Sequence, residues 1–358
     1  MTTQDNNRPL LDWLLAKFPD VPKKRAKQWI TAGRVSVNDV IIRKPHHPLP
    51  DPGAALKLLD RQSTTLDCGH DGWQIHPRVN LLYLDTALAI VNKGPGLLSV
   101  TAEPDDLSAQ SILADFLAGK FRAFDRGLAG RTLPAAYRRL VPLPVHRLDQ
   151  YTSGVFCLAM NPVARKLLIE QVSAHTMRRE YVAYVEGRVQ SLKGTWRNWL
   201  KLSEDELRQV IVPQSEIGKF HGNAAGSREP ARSPAEMNPS APNPESSRDS
   251  KKPDPATSAE SEPVEAITHY EVIAEYAGCS KLRLRLETGR KHQIRAQAAF
   301  AGVPLIGDRT YNPRRRIDFP RQALHAEILS LEYGKPLTWT AALPPDLQEL
   351  EASLRRSR

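Results

Sequence analysis

The sequence predicts an α+β fold on three observations. Strand-like and helix-like segments follow one another without the strict alternation that builds a parallel barrel. Leu282-Arg283-Leu284-Arg285-Leu286 alternates apolar and charged residues with period 2, the mark of a half-buried strand. Val155-Phe156-Cys157-Leu158-Ala159 is apolar throughout and bounded by turn signals, which reads as a strand buried on both faces. At 358 residues and 41% hydrophobic, the chain is long enough for two domains with packed cores.

Residues 8–60 read as a compact unit inside a first domain at 1–60. Pro22 can occupy the first turn of a helix that turns Ala26, Trp29 and Ile30 inward and ends near Gly33. Val35 and Val37 then alternate with polar residues, Asn38-Asp39 makes a turn, and Val40-Ile41-Ile42 returns. Lys23, Lys24, Arg25, Lys27, Arg34, Arg43 and Lys44 crowd this piece, with Asp39 the only acid between Lys23 and Lys44. Such a patch is either a phosphate-binding face or the solvated face of a basic protein.

Residues 61–80 read as a linker into a larger domain at 81–350. Strands are expected at Leu81 to Leu84 and Ala87 to Val91, followed by the turn Asn92-Lys93-Gly94-Pro95-Gly96. Asn161 can cap a helix that starts at Pro162 and carries Leu167, Leu168 and Val172. Tyr181 to Val185 and Ile267 to Ala274 are strand-like again. Between them, residues 221–263 contain no Ile, Leu, Phe, Tyr or Trp before the strand pattern resumes, and Pro, Ser, Ala, Asn and charge dominate. Such a segment buries too little apolar surface to offset its ordering entropy, so a disordered insertion in a surface loop is expected there.

The formal net charge of +10 points to a polyanionic partner, because clustered Lys and Arg gain affinity by displacing phosphate counterions. Nucleic acid comes before an anionic membrane. No export signal pattern and no run of about 18 apolar residues is found, so the expected place is the cytoplasm, with no membrane partner. Cys68, Cys157 and Cys279 are odd in number and far apart, which indicates neither a disulfide framework nor a zinc site. No metal and no cofactor are expected.

Three polar segments in the larger domain carry candidate chemistry. His146-Arg147-Leu148-Asp149 sets a carboxylate beside an arginine at a strand mouth, where an Asp can equally be a turn residue. Arg179-Glu180-Tyr181 opens a strand, and a tyrosine there is often a packing residue. Thr288-Gly289-Arg290-Lys291-His292-Gln293-Ile294-Arg295 stands where the alternating strand gives way to a helix, so Arg290 and Arg295 can face an anion or solvent.

Together these segments resemble the RluA-type pseudouridine synthase family. The resemblance is carried by His146 to Asp149 with Thr152-Ser153-Gly154, by Tyr181 to Gly187, and by Thr288-Gly289-Arg290 with His292 to Arg295. Gly302 to Asp308, Tyr311 and Leu324-His325-Ala326 continue it to about Asp346. The N-terminal unit resembles the small RNA-binding domain named after the fourth small-subunit ribosomal protein. Lys23, Lys24, Arg25, Lys27, Arg34 and Asn38 are its candidate RNA contacts. What the resemblance implies is a mixed, largely antiparallel catalytic sheet and an isomerase that converts uridine in structured RNA to its carbon-linked isomer. Large-subunit ribosomal RNA is the expected substrate and transfer RNA the alternative.

By the same resemblance Asp149 is the catalytic carboxylate, acting as nucleophile or as base. Arg295 pairs with it, and Tyr181 stacks on the base and can take the proton from carbon 5. Arg147 fills the space left by the extruded nucleotide, while His146 and Arg290 bind substrate and Lys93 contacts phosphate. Four positions depart from the family pattern: the Asn92–Gly96 loop, Arg179 in place of the commoner Lys, Gln297 for His, and Asn312 for Gly. Two other classes compete. An idle RNA-binding assembly factor would need only the basic face. A nucleoside or glycoside hydrolase would usually need two carboxylates, and no second acid stands out beside Asp149.

Overall fold

The computed structural model describes residues 8–38, 40–49, 55–58, 66, 68, 72–101, 103, 106–120, 133, 137–221 and 262–357. Most of the 221–263 insertion therefore lies outside the described residues. A sheet of twelve strands forms the larger unit, and smaller sheets of two and three strands serve the N-terminal one.

In the N-terminal unit two helices, Leu10–Lys17 and Lys23–Thr31, pack on the strands Val35–Val37, Val40–Ile41 and Leu56–Leu58. Pro22 stands at the N-cap position just before the second helix, Ala26 and Ile30 are fully buried beneath it, and Gly33 follows its end with φ of 73°. Trp29 is half-buried rather than turned fully inward, with the guanidinium groups of Arg25 and Arg34 over its ring at 5.8 and 5.5 Å. The helix, strand, turn, strand order expected from the sequence is present. Asn38 makes the turn with φ of 50°, and its side-chain oxygen accepts the Ala55 N–H at 2.9 Å.

The large sheet is mixed and almost wholly antiparallel, as expected. Among the described strands the one parallel pairing joins Ser153–Ala159 to Leu324–Glu332 through Ser153 opposite His325 and Gly154 opposite Ala326. A Cβ on Gly154, whose φ is 121°, would collide with the Ala326 backbone, so only glycine lets these strands meet. That contact lies five residues beyond Asp149. The stretch read as a linker contains the edge strand Trp73–His76, which pairs with Val79–Leu84 inside the large sheet.

All seven residues of Ser153–Ala159 are buried. Phe156 and Leu158 face one core, shared with helices Ala109–Leu117 and Gln293–Phe300, while Val155, Cys157 and Ala159 face the other, under helix Pro162–Ser173. Burial on both sides explains an unbroken apolar run, since neither set of alternate side chains meets water. Asn161 caps the latter helix as read, accepting the Ala164 N–H at 2.9 Å. At one sheet edge the strands Lys193–Leu202 and Gln209–Val212 form a hairpin beside Val264–Tyr276.

Candidate active site

A cavity of about 260 Å³ opens where three of these elements end. The loop before Ser153–Ala159 brings Asp149, the strand Arg178–Glu186 brings Arg179 and Tyr181, and the start of helix Gln293–Phe300 brings His292 and Arg295. Asp149, Tyr181 and Arg295, separated by up to 146 residues in sequence, thus line one space.

The loop carrying Asp149 is tied down from below. Thr152 N–H bonds the Asp149 carbonyl at 3.0 Å, and Ser99 Oγ donates to the Leu148 carbonyl at 2.9 Å. Lys93 donates to the carbonyls of Gly94, Leu97 and Gln150 at 3.0, 2.9 and 3.0 Å. Its side chain is completely buried, and burial pulls its pKa down to about 7. The expectation that Lys93 contacts phosphate is corrected: three carbonyls engage the amine, which no RNA backbone can reach. Arg321 works from the far side, bidentate to Asp346 at 2.7 and 3.0 Å and donating to the Tyr151 carbonyl at 3.2 Å.

Arg295 does approach Asp149, with Nη1 to Oδ2 at 3.4 Å, but its tighter partner is Asp308. Nε and Nη2 of Arg295 donate to the two Asp308 oxygens at 2.7 and 2.9 Å. Burial works against the guanidinium charge, and the Asp308 contacts outweigh it and raise the Arg295 pKa. A second acid is therefore close, contrary to what the sequence indicates. Its oxygens are engaged, however, because Oδ1 also accepts the N–H groups of Thr310 and Tyr311 at 3.0 and 3.1 Å. Asp308 is completely buried, so it orients the arginine rather than activating water. Gly307 before it has φ of 73°, and a Cβ there would strike the Arg321 and Phe319 carbonyls.

The sequence places His292 three residues before Arg295 and assigns it no role of its own. It adopts the left-handed conformation with φ of 52° just before the helix, which sends its ring toward Asp149, Nε2 to Oδ2 at 3.9 Å. Burial lowers its pKa, so the neutral ring dominates near pH 7. Tyr311, whose ring lies 5.1 Å from the Arg295 guanidinium, supports both groups, and its hydroxyl lies 3.3 Å from His292 Nδ1. Gln293 braces the turn: its side-chain oxygen accepts from Thr288 Oγ1 and Arg290 N–H at 2.8 and 3.0 Å.

Tyr181 is 6% exposed, and burial raises its pKa, so its hydroxyl keeps its proton. Arg147 and Arg290 are exposed at the mouth, Arg290 donating through Nε to the Glu265 carbonyl at 3.2 Å. His146 also lines the cavity, but its Nε2 accepts the Cys157 N–H at 3.1 Å and burial lowers its pKa to about 3. It is a neutral strut with only Nδ1 to offer a substrate. Two departures from the family pattern prove architectural. Gln297 bonds Thr268 Oγ1 and the Ala266 carbonyl at 2.6 and 3.0 Å, and Asn312 is buried behind Asp308.

A family model described as RNA pseudouridylate synthase matches residues 87–300, well over half of the chain. The chain belongs to this family. The synthase is accordingly an isomerase that acts on uridine in RNA. An S4 domain model matches residues 8–55. Similar curated proteins include an uncharacterized RNA pseudouridine synthase, YlyB, of Bacillus subtilis, 26% identical and covering 94% of this chain and 91% of that protein. Another is ribosomal large subunit pseudouridine synthase D of Yersinia pestis, 28% identical over 96% of the synthase and 90% of the relative. Among solved structures, human RNA pseudouridylate synthase domain containing 4 shares the fold, with a TM-score of 0.54 at 17% identity, over 79% of this chain and 93% of that one. No helix among the described residues is long and apolar enough to cross a membrane.

The basic residues of the N-terminal unit are not among those that line this cavity. Lys23, Lys24, Arg25 and Lys27 are all exposed on one helix, and Arg34 is half-buried beyond its end. That helix has no acid in its first turn and no side-chain cap. Cations at a helix N-terminus oppose the macrodipole, so their placement costs helix stability.

Proposed function

We propose that the enzyme isomerises uridines of large-subunit ribosomal RNA in the cytoplasm, with residues 1–60 supplying affinity and residues 81–350 the chemistry. The relatives named as large-subunit synthases support the substrate, and the exposed cations of the S4 unit suit a structured polyanion. The observation that carries the site assignment is the Asp149 carboxylate at the cavity edge, 3.4 Å from a guanidinium that Asp308 holds in place.

A uridine must first leave its stack, at a cost of about a few kcal/mol, while Arg147 takes its place. Asp149 then acts at the ribose, as nucleophile on C1′ or as base toward a ribose proton. The C1′–N1 bond breaks with its electron pair on the base, the base turns, and C5 bonds to C1′. Loss of the C5 proton and uptake of one at N1 complete an exchange that consumes neither water nor electrons. Tyr181 stacks on the turning ring, and a buried phenol is a poor proton acceptor, so its part in removing the C5 proton needs relay to a better base.

Incubation with RNA tritiated at uridine C5 tests this reading. Release from a large-subunit ribosomal RNA transcript, and its loss in Asp149→Asn, is the expected result. Release from transfer RNA alone would reassign the substrate, and free uracil would replace isomerisation by hydrolysis.

A further inference from the structure

Among the described residues of the larger unit three arginines are buried, Arg179, Arg295 and Arg321, and they differ in what neutralises them. Arg295 is bidentate to Asp308 and Arg321 is bidentate to Asp346. Arg179, only 6% exposed, pairs with no carboxylate among the described residues, and its Nε and Nη2 are shut from water without an acceptor. A buried cation with no counter-charge is costly unless a ligand supplies one. The guanidinium lines the catalytic cavity, two residues before Tyr181 and so on the same strand face. Its Nη1 stands 2.5 Å from where a Cβ on Gly289 would sit, so the glycine keeps that space open.

We propose that Arg179 contacts the carbonyl edge of the extruded uracil and balances the negative charge which that ring bears while detached from C1′. The inference rests on the cavity being the uridine site. Depth selects the base over a phosphate: Arg147, Arg290 and Lys291 are exposed at the mouth, where a backbone passes, while Arg179 lies beneath them. When the C1′–N1 bond breaks, its electron pair spreads onto O2 and O4 of the ring. A planar guanidinium matches in-plane carbonyl acceptors and keeps its protons throughout, so it stabilises the anion without joining the proton transfers.

The test uses the full chain and a synthetic RNA hairpin carrying the mapped target uridine, with uridine, 2-thiouridine or 4-thiouridine at that one position. Single-turnover isomerisation by wild type and Arg179→Met is followed by nucleoside chromatography, with RNA affinity measured at several salt concentrations. Arg179→Met should slow isomerisation about 10²–10³-fold, in line with loss of one preorganised donor, at unchanged RNA affinity. One thio substitution, which weakens an acceptor, should slow wild type while slowing Arg179→Met no further. Thio effects that multiply with the mutation, or a wild type indifferent to both sulfurs, would overturn the contact. Weaker RNA binding with a shallower salt dependence would assign Arg179 to phosphate instead. If the methionine variant does not fold, Arg179→Lys carries the same cycle. A wild type that isomerises no RNA would sink the reading of the cavity itself, whereas turnover with multiplicative losses would sink only the role of Arg179.

Discussion

The cavity beside Asp149 and the N-terminal helix both concentrate charge, and they treat it in opposite ways. In the cavity Arg295 and Asp308 are 8% and 0% exposed in their side chains and fixed to one another by two hydrogen bonds. On the helix Lys23, Lys24, Arg25 and Lys27 are exposed, the first three of them in the first turn, where the helix dipole repels cations. Buried charge that is already paired cannot rearrange, so it suits a reaction that needs one carboxylate at one place. Exposed charge on long side chains adapts to whichever phosphates arrive and is screened by salt. Under the proposed function, precision and affinity fall to two parts of the chain.

The sharpest way to break this division is to remove the acid. Asp149→Asn keeps the shape of the loop, whose backbone is held by Thr152, Ser99 and Lys93 contacts that the substitution leaves alone. Tritium release should fall about 10²–10⁴-fold, the usual worth of a positioned acid–base group, while RNA affinity stays constant. A variant that retains wild-type release would remove Asp149 from the chemistry.

Next in size is the clamp. Asp308→Asn leaves Arg295 buried with half its partner, and breaking a buried ion pair costs about 3–5 kcal/mol. A lower melting temperature should accompany a fall in turnover of about 10²-fold, as expected for a misplaced catalytic group. Unchanged turnover in a destabilised protein would show that Asp308 serves stability alone.

Legibility follows the same division. Asp149, Tyr181 and Arg295 each sit at a local signal, a turn before an apolar run, the opening of a strand, and the first turn of a helix, so short segments could carry them. The buried run 155–159, which the structure extends back to Ser153, and the Asn161 cap are equally local. Partner choice is not. That Arg295 prefers Asp308 depends on a turn thirteen residues later, which Gly307 bends beneath it. Lys93, in a glycine-rich turn, is expected at a phosphate, yet the carbonyl of Gln150, fifty-seven residues away, engages its amine. The sequence gives His292 no role, because a left-handed residue, not helical spacing, aims its ring.

A smaller effect is expected from the helix. Replacing Lys23, Lys24 and Lys27 by alanine together should weaken RNA binding and reduce the slope of log affinity against log salt by about one per lost phosphate contact. Turnover at saturating RNA should not change. A variant with an unaltered salt slope would mean these lysines face solvent only.

The last effect is on stability alone and comes from the lysine that the cavity region treats unlike those three. Lys93 has its pKa depressed by burial from 10.5 to about 7, against the ordinary value in the unfolded chain. Between those two pH values the unfolded state holds a proton that the native state has shed, so stability rises with pH across the window. Below about pH 7 both states are charged and the native state bears the full cost of a buried ammonium. Lys93→Met should flatten that part of the curve of melting temperature against pH. The Lys23, Lys24 and Lys27 variant should leave it unchanged, because those amines remain in water in both states. If Lys93→Met keeps the wild-type slope between pH 7 and 10, the amine is fully protonated across the range. Its three carbonyl partners, a match for the three protons of an ammonium, would then outweigh the burial that opposes them.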